Sequence, residues 1–322
     1  MKAIVYDRYG SPDILRYEEI ARPTPGDGEV LIRVRATSVN PYDWHLMRGT
    51  PYGLRLMTGL RKPKSRQLGV DVAGEVEEVG SGITELQPGD AVFGACKAAF
   101  AEYVCTPESS LVLKPVNVTF EQAGCAAIAG FTAMQGLRDK ARLQPGQKIL
   151  INGASGGVGT FAVQIAKWMG AEVTGVCSTR NVEMVRSIGA DHVVNYTQEN
   201  FTRNGRRYDV VFDCIGNHSL LACRRALTPA GVCVMPGGKS GRWVAPMPRF
   251  IAAPILSRFS SRKVVPVMAK WSKGDLTLIG KLIATEKITP VMDRSYPLRE
   301  IPEAIRYLEE GHARGKVIVT VA

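Results

Sequence analysis

The 322-residue chain carries 41 Lys and Arg against 30 Asp and Glu, a formal net charge of +11, with 45% hydrophobic and 7% aromatic residues. That composition supports a large buried core in two domains and excludes a disordered, collagenous or disulfide-stapled chain. No apolar run approaches the ~18 residues that suggest a membrane span, and the start, MKAIVYDRYG, reads as a strand and turn without the pattern of a secretory signal. A soluble, cytoplasmic protein is expected.

To about residue 120, short alternating or apolar runs (EVLIRVRATSV, VDVAGEVEEVG, DAVFGA) are separated by P-G and G-D turns, the pattern of a β-rich domain. From about residue 123, helical and strand segments alternate: QAGCAAIAGFTAMQGLRDKA, KILIN, a helix after GASGGVG, EVTGVC, NVEMVRSIG, HVVNY, YDVVFDCIG, HSLLACRRAL and GVCVMPG. Such alternation predicts a parallel sheet covered by helices on both faces. The tail holds a helix (DLTLIGKLIATE), a strand-like ITPVMDRSYP, an amphipathic PEAIRYLEEGHA and a last strand, KVIVTV. The seven cysteines, Cys96, Cys105, Cys125, Cys177, Cys214, Cys223 and Cys233, are odd in number and form no C-x-x-C pair. They read as small buried hydrophobes in a reducing compartment, not as a disulfide scaffold or zinc knuckle.

The turn Ala154-Ser155-Gly156-Gly157-Val158-Gly159 follows an apolar strand and opens a helix with Val158, Phe161, Ala162, Ile165, Ala166 and Met169 on one face. Gly156 lets backbone N–H groups approach a pyrophosphate, Gly159 lets the helix pack close to the sheet, and the helix N-terminus favours negative charge. Ala154 departs from the first glycine of G-x-G-x-x-G. At the end of the second strand, where an acid would take both ribose hydroxyls of NAD, stands Cys177, followed by Ser178, Thr179 and Arg180. Two hydroxyls and a fixed cation suit a 2′-phosphate, so NADP(H) is expected over NAD(H); the bland alternative for Arg180 is a solvated residue near the next helix.

Together, GEVLIRVRATSVNPYDW, LGVDVAGEVEEVGSGI, the PGD turn before AVFG, AGFTAMQGL, GASGGVG, IGADHVVNY and EAIRYLEEGHARGKVIVTV resemble the medium-chain dehydrogenase/reductase superfamily, in its zinc-free, quinone-oxidoreductase-like (zeta-crystallin-like) branch. The resemblance implies an α/β fold: a GroES-like β-rich catalytic domain from 1–122 and 268–322, and a Rossmann doubly wound parallel sheet, the NADP-binding domain, from 123–267. It also implies a homodimer, with cofactor and substrate sharing the interdomain cleft. At the positions where the alcohol-dehydrogenase branch holds catalytic zinc, this chain has Asn40, Val70 and Cys125, and the structural-zinc loop offers only Cys96. One thiol cannot hold a tetrahedral site, so no metal is expected.

Without a Lewis acid, intrinsically electrophilic acceptors are expected, namely quinones or α,β-unsaturated carbonyls, with alkenal or enoyl double-bond reduction as the alternative within the branch. From the resemblance, Asn40 and Tyr42 are candidates for polar contacts to substrate or cofactor, and Tyr52 is a further candidate. Asp43 is expected to bind backbone N–H groups, and His45 to be structural. Thr132 is placed at the nicotinamide end, Tyr196 beside the adenosine ribose, Ile215 and Gly216 along the cofactor, and Lys316 near the nicotinamide; for Lys316 a solvated lysine is the competing reading.

Residues 241–265, GRWVAPMPRFIAAPILSRFSSRKVV, mix five cations with apolar residues and contain no acid. The reading preferred here is a segment lining the substrate cleft or packing on a second subunit. A weak contact with anionic membrane competes with it. A third reading, a nucleic-acid-binding protein with a vestigial cofactor domain, has charge in its favour but no recognised motif.

Overall fold

The computed structural model describes residues 1–236 and 261–322. Of the basic segment 241–265, residues 241–260 therefore lie outside the described residues. The chain forms two compact units, Met1–Ile128 with Trp271–Glu286 and Pro290–Ala322, and Ala129–Lys270 with Lys287–Thr289.

In the first unit, β1 (Lys2–Val5) pairs antiparallel with β2 (Arg16–Glu19). The main sheet starts with β3 (Glu29–Val39), an 11-residue strand that meets β4 (Asp71–Val79), while β5 (Ala91–Ala95), β6 (Tyr103–Pro107) and β7 (Leu111–Leu113) complete this part of the chain. Between β3 and β4 lie the helices α1 (Pro41–Arg48) and α2 (Arg55–Thr58). Pro41 at the first helical position cannot donate a hydrogen bond that the helix start would leave unmade, so α1 begins there.

The chain then passes through α3 (Phe120–Ala123) and α4 (Ala127–Gln135) into the second unit. There, β8 (Lys148–Asn152), β9 (Glu172–Cys177), β10 (His192–Asn195), β11 (Tyr208–Asp213), β12 (Leu227–Met235) and β13 (Lys263–Pro266) make a parallel sheet in the order β10-β9-β8-β11-β12-β13. Numbered within the sheet, this is the 3-2-1-4-5-6 order of a Rossmann fold, and the order reverses between β8 and β11. Helices α5 (Gly157–Trp168), α6 (Val182–Ser187) and α7 (Leu220–Arg225) make the crossovers. Ile149, Leu150 and Ile151 of β8 are fully buried, as strands covered on both faces require.

Back in the first unit, α8 (Lys273–Ala284), β14 (Met292–Pro297), α9 (Ile301–Glu309) and β15 (Lys316–Thr320) close the chain. Among the described residues, the main sheet runs β14-β15-β3-β4-β5-β7, with β6 on β3. α9 turns Ile301, Ala304 and Ile305 into the core that holds Val30, Ile32, Val72, Val317 and Val319, the amphipathic pattern legible in PEAIRYLEEGHA. No helix among the described residues is long and apolar enough to cross a membrane.

Candidate functional site: a dinucleotide turn and a buried polar cluster

In the second unit, β8 is followed by Gly153 and Ala154, whose N–H groups both donate to Val176 O, at 3.2 and 3.0 Å. Gly153 takes φ +87°, so the left-handed residue of the turn lies one position before Ala154. Ala154 itself does not take a positive φ, so its backbone asks for no glycine there. A Cβ on Gly159 would stand 2.0 Å from Gly153 O, so close helix–sheet packing demands a glycine. A Cβ on Gly156 would meet nothing nearer than Gly153 O at 3.5 Å, with φ −87°. The protein's own packing does not require a glycine at 156, whereas a pyrophosphate approaching that face does. No side chain caps the N-terminus of α5 at Gly156. The residues therefore fit a dinucleotide, with Ser155, Gly156, Gly157, Val158 and the helix start offering backbone donors.

Beyond β9, Ser178, Thr179 and Arg180 form a tight turn. The buried Asn181 donates from Nδ2 to Ser155 Oγ and Ser178 Oγ, both at 3.1 Å, and so ties the glycine turn to the loop carrying Arg180. Thr179 Oγ1 accepts from Asn195 Nδ2 at 2.9 Å. Tyr196 follows β10 and is 57% exposed. At the end of β11, Gly216 has φ +68° and its N–H donates to Asp213 Oδ1 at 2.9 Å, the oxygen that also accepts from Asn152 Nδ2 at 2.8 Å. Asn152 and Asp213 thus brace the loops after β8 and β11, on either side of the order reversal; sequence reading passed over both, although a carboxylate inside VVFDCIG is a sign of a buried, paired acid. Ile215 is partly exposed beside Gly153. Thr132 is buried on α4.

In the first unit, Asn40 precedes α1, and its N–H donates to Asp43 Oδ2 at 2.8 Å; Asp43 Oδ1 accepts from Gly69 N at 3.1 Å. Burial pushes the Asp43 carboxyl up to about 7 against the pull of those two donors. Asn40 Oδ1 accepts from Lys316 Nζ at 2.6 Å, while Asn40 Nδ2 donates to Asp71 Oδ2 at 2.9 Å and Ser38 O at 3.2 Å. The Asn40 amide is thus committed to its neighbours. Lys316 is buried and paired with Asp71 at 3.2 Å, so it is not a solvated lysine.

Tyr42, 50% exposed, presents a phenol whose pKa is raised by burial and then by the Asp43 charge, so it remains an O–H donor. Tyr52 stacks under the Arg55 guanidinium, 4.7 Å from its ring centroid. His45 Nδ1 lies 2.7 Å from Thr50 O, the structural role expected of it. Val70 is buried and apolar, and Cys125 is a buried thiol that donates to Gln122 O at 3.3 Å. Among the described residues no group of three or more His, Cys, Asp or Glu side chains is arranged to hold a metal ion.

Two protein-family models match, one described as "Alcohol dehydrogenase GroES-like domain" over residues 26–116 and one as "Zinc-binding dehydrogenase" over residues 188–319. The chain is 32% identical over 334 residues to the "Chloroplast envelope quinone oxidoreductase homolog" of Arabidopsis thaliana, covering 99% of this chain and 98% of that protein. It is 33% identical to the "NADPH-dependent alkenal/one oxidoreductase, chloroplastic" of the same plant, over 99% of this chain and 79% of that one. The solved Escherichia coli quinone oxidoreductase complexed with NADPH superposes with a TM-score of 0.85 at 25% identity, covering 99% of this chain and 100% of that one.

Proposed function

Since the chain belongs to the zinc-free, quinone-oxidoreductase-like branch of the medium-chain dehydrogenase/reductase superfamily, we propose that it is an NADPH-dependent oxidoreductase that reduces quinones or activated enones without a metal. The observation that carries the reading is the glycine turn at the reversal of strand order, open at Gly156 and followed at β9 by Ser178, Thr179 and Arg180 in place of an acid.

When bound, the reduced nicotinamide supplies a hydride. Ser155 to Gly159 would hold the pyrophosphate, Ser178, Thr179 and Arg180 would face the 2′-phosphate, Tyr196 would lie beside the adenosine ribose, Ile215 and Gly216 along the cofactor, and Thr132 at the nicotinamide end. Tyr42, an exposed phenol kept protonated, donates a hydrogen bond to the oxyanion that develops on the acceptor, with Tyr52 beside α2 as a second polar contact. Asn40, with both ends of its amide taken, acts by holding α1 in place. The apolar Val70 and the Asn40 amide, engaged by Lys316 and Asp71, leave Cys125 as one thiol, too few for a tetrahedral site, which supports metal independence. The homodimer implied by the resemblance is part of the proposal, and light scattering would report it as twice the chain mass.

The decisive test follows reduced-nicotinamide absorbance with NADPH or NADH against 1,4-benzoquinone, 9,10-phenanthrenequinone, 2-hexenal and a simple ketone, with and without chelator. Quinone or enone turnover is expected with NADPH, at least about tenfold better than with NADH (~1.4 kcal/mol), with the ketone inert and chelator without effect. Equal rates with NADH would remove the 2′-phosphate assignment; loss of activity with chelator would remove metal independence.

A further inference from the structure

We propose that Asp71 and Lys316 are positioning residues, a buried ionic clamp that holds the Asn40 amide at both ends and so fixes the direction in which α1 presents Tyr42. The inference rests on the functional reading above and extends it to two residues that do not themselves touch the acceptor.

The sheet order β15-β3-β4 makes the clamp possible. Lys316 is the first residue of β15 and Asp71 the first of β4, so an ammonium and a carboxylate arrive from the two strands that flank β3, at the end where β3 runs into Asn40. Their side chains are 4% and 0% exposed. An ion pair so deeply buried is weak support for stability, because an apolar pair of the same volume serves that end as well or better. An apolar pair cannot make directional hydrogen bonds, and here these converge on one residue. Lys316 Nζ donates to Asn40 Oδ1 at 2.6 Å, and Asn40 Nδ2 donates to Asp71 Oδ2 at 2.9 Å. The same Asp71 oxygen accepts from Ser38 Oγ at 2.5 Å, while its other oxygen accepts from Ile128 N at 2.8 Å, at the start of the helix that carries Thr132. Asn40 N–H is held by Asp43. Every polar side-chain atom of the residue before α1 is therefore engaged, and Tyr42 follows two residues later.

Removing one charge alone leaves the other buried and uncompensated, so Asp71→Asn and Lys316→Met singly lower the melting temperature whatever the function of the pair. The informative protein is the neutral double variant Asp71→Asn/Lys316→Met, which keeps the volume and an oxygen for the Ile128 N–H. It is expected to recover most of the melting temperature lost in either single variant, with kcat for quinone or enone lowered on the order of tenfold to a hundredfold and KM for NADPH unchanged. Hydrogen exchange of the α1 amides, residues 42–48, is expected to quicken, while that of residues 128–131 stays parental. Should the double variant not refold, Asn40→Ala carries the same readouts, because it leaves the ion pair in place and removes only the clamped amide. Parental exchange across α1, or parental kcat in the double variant, overturns the clamp. If the parent protein reduces no acceptor, the functional reading fails and the exchange measurement alone decides the clamp.

Discussion

Two glycines in one turn are glycines for different reasons. Gly159→Ala drives a Cβ into Gly153 O at 2.0 Å, so a loss of stability is expected from overpacking, about 1–3 kcal/mol. Gly156→Ala has space for its Cβ, so the melting temperature should hold while the Kd for NADPH, read by nicotinamide fluorescence, rises by about tenfold or more. If Gly156→Ala binds as the parent does, the pyrophosphate does not lie on that face. Asp43 offers a second test at this scale. Its carboxyl is pushed up to about 7, above the ordinary carboxylate range, so between pH 4 and pH 7 the folded state binds more protons than the unfolded one. Stability from this group is full at low pH and is lost as pH rises through its folded value, at up to ~1.4 kcal/mol per pH unit. Melting temperature against pH should therefore fall more steeply over that window in the parent than in Asp43→Asn; parallel curves would show that Asp43 does not titrate there.

At the scale of elements, contiguous features were readable and interrupted ones were not. The strand, glycine turn and helix at residues 148–168 follow one another along the chain, so periodicity and turn chemistry locate them. The helical run QAGCAAIAGFTAMQGLRDKA reads as continuous, yet the structure ends α3 before Gly124, resumes at Ala127 and widens to a π-helical turn at Gly136–Ala141. Both changes fall where the backbone lies close against strand residues: a Cβ on Gly124 would meet Ala36 O at 2.8 Å, and one on Gly136 would meet the Phe212 ring at 2.6 Å. The turn after β9 carries its own prediction. Arg180→Ala is expected to lower kcat/KM for NADPH by about tenfold or more, the loss of a charge-assisted contact, and to leave NADH unaffected. An equal loss with both dinucleotides would assign Arg180 a structural role.

For the whole molecule, a dinucleotide held by the folded chain must stabilise it. NADPH at a hundredfold over its Kd should raise the unfolding free energy by about 2.7 kcal/mol, seen as a higher melting temperature, and NADH at the same concentration should raise it less. An equal rise with both would again argue against a 2′-phosphate site.

The family, the parallel sheet and the dinucleotide turn are legible in the sequence, because each is written in neighbouring residues or a short repeating period. Only the tertiary structure shows which partners Asn40, Asp71 and Lys316 have. Asp71 in LGVDVAG and Lys316 in RGKVIVTV each stand out as a charge at the head of an apolar strand, a sign that a partner exists. The partner's identity was not legible, because Lys316 lies 245 residues from Asp71 and 276 from Asn40. Only the order of β15, β3 and β4 in the sheet brings the three together, and the cost of leaving a charge unpaired away from water then dictates that they meet.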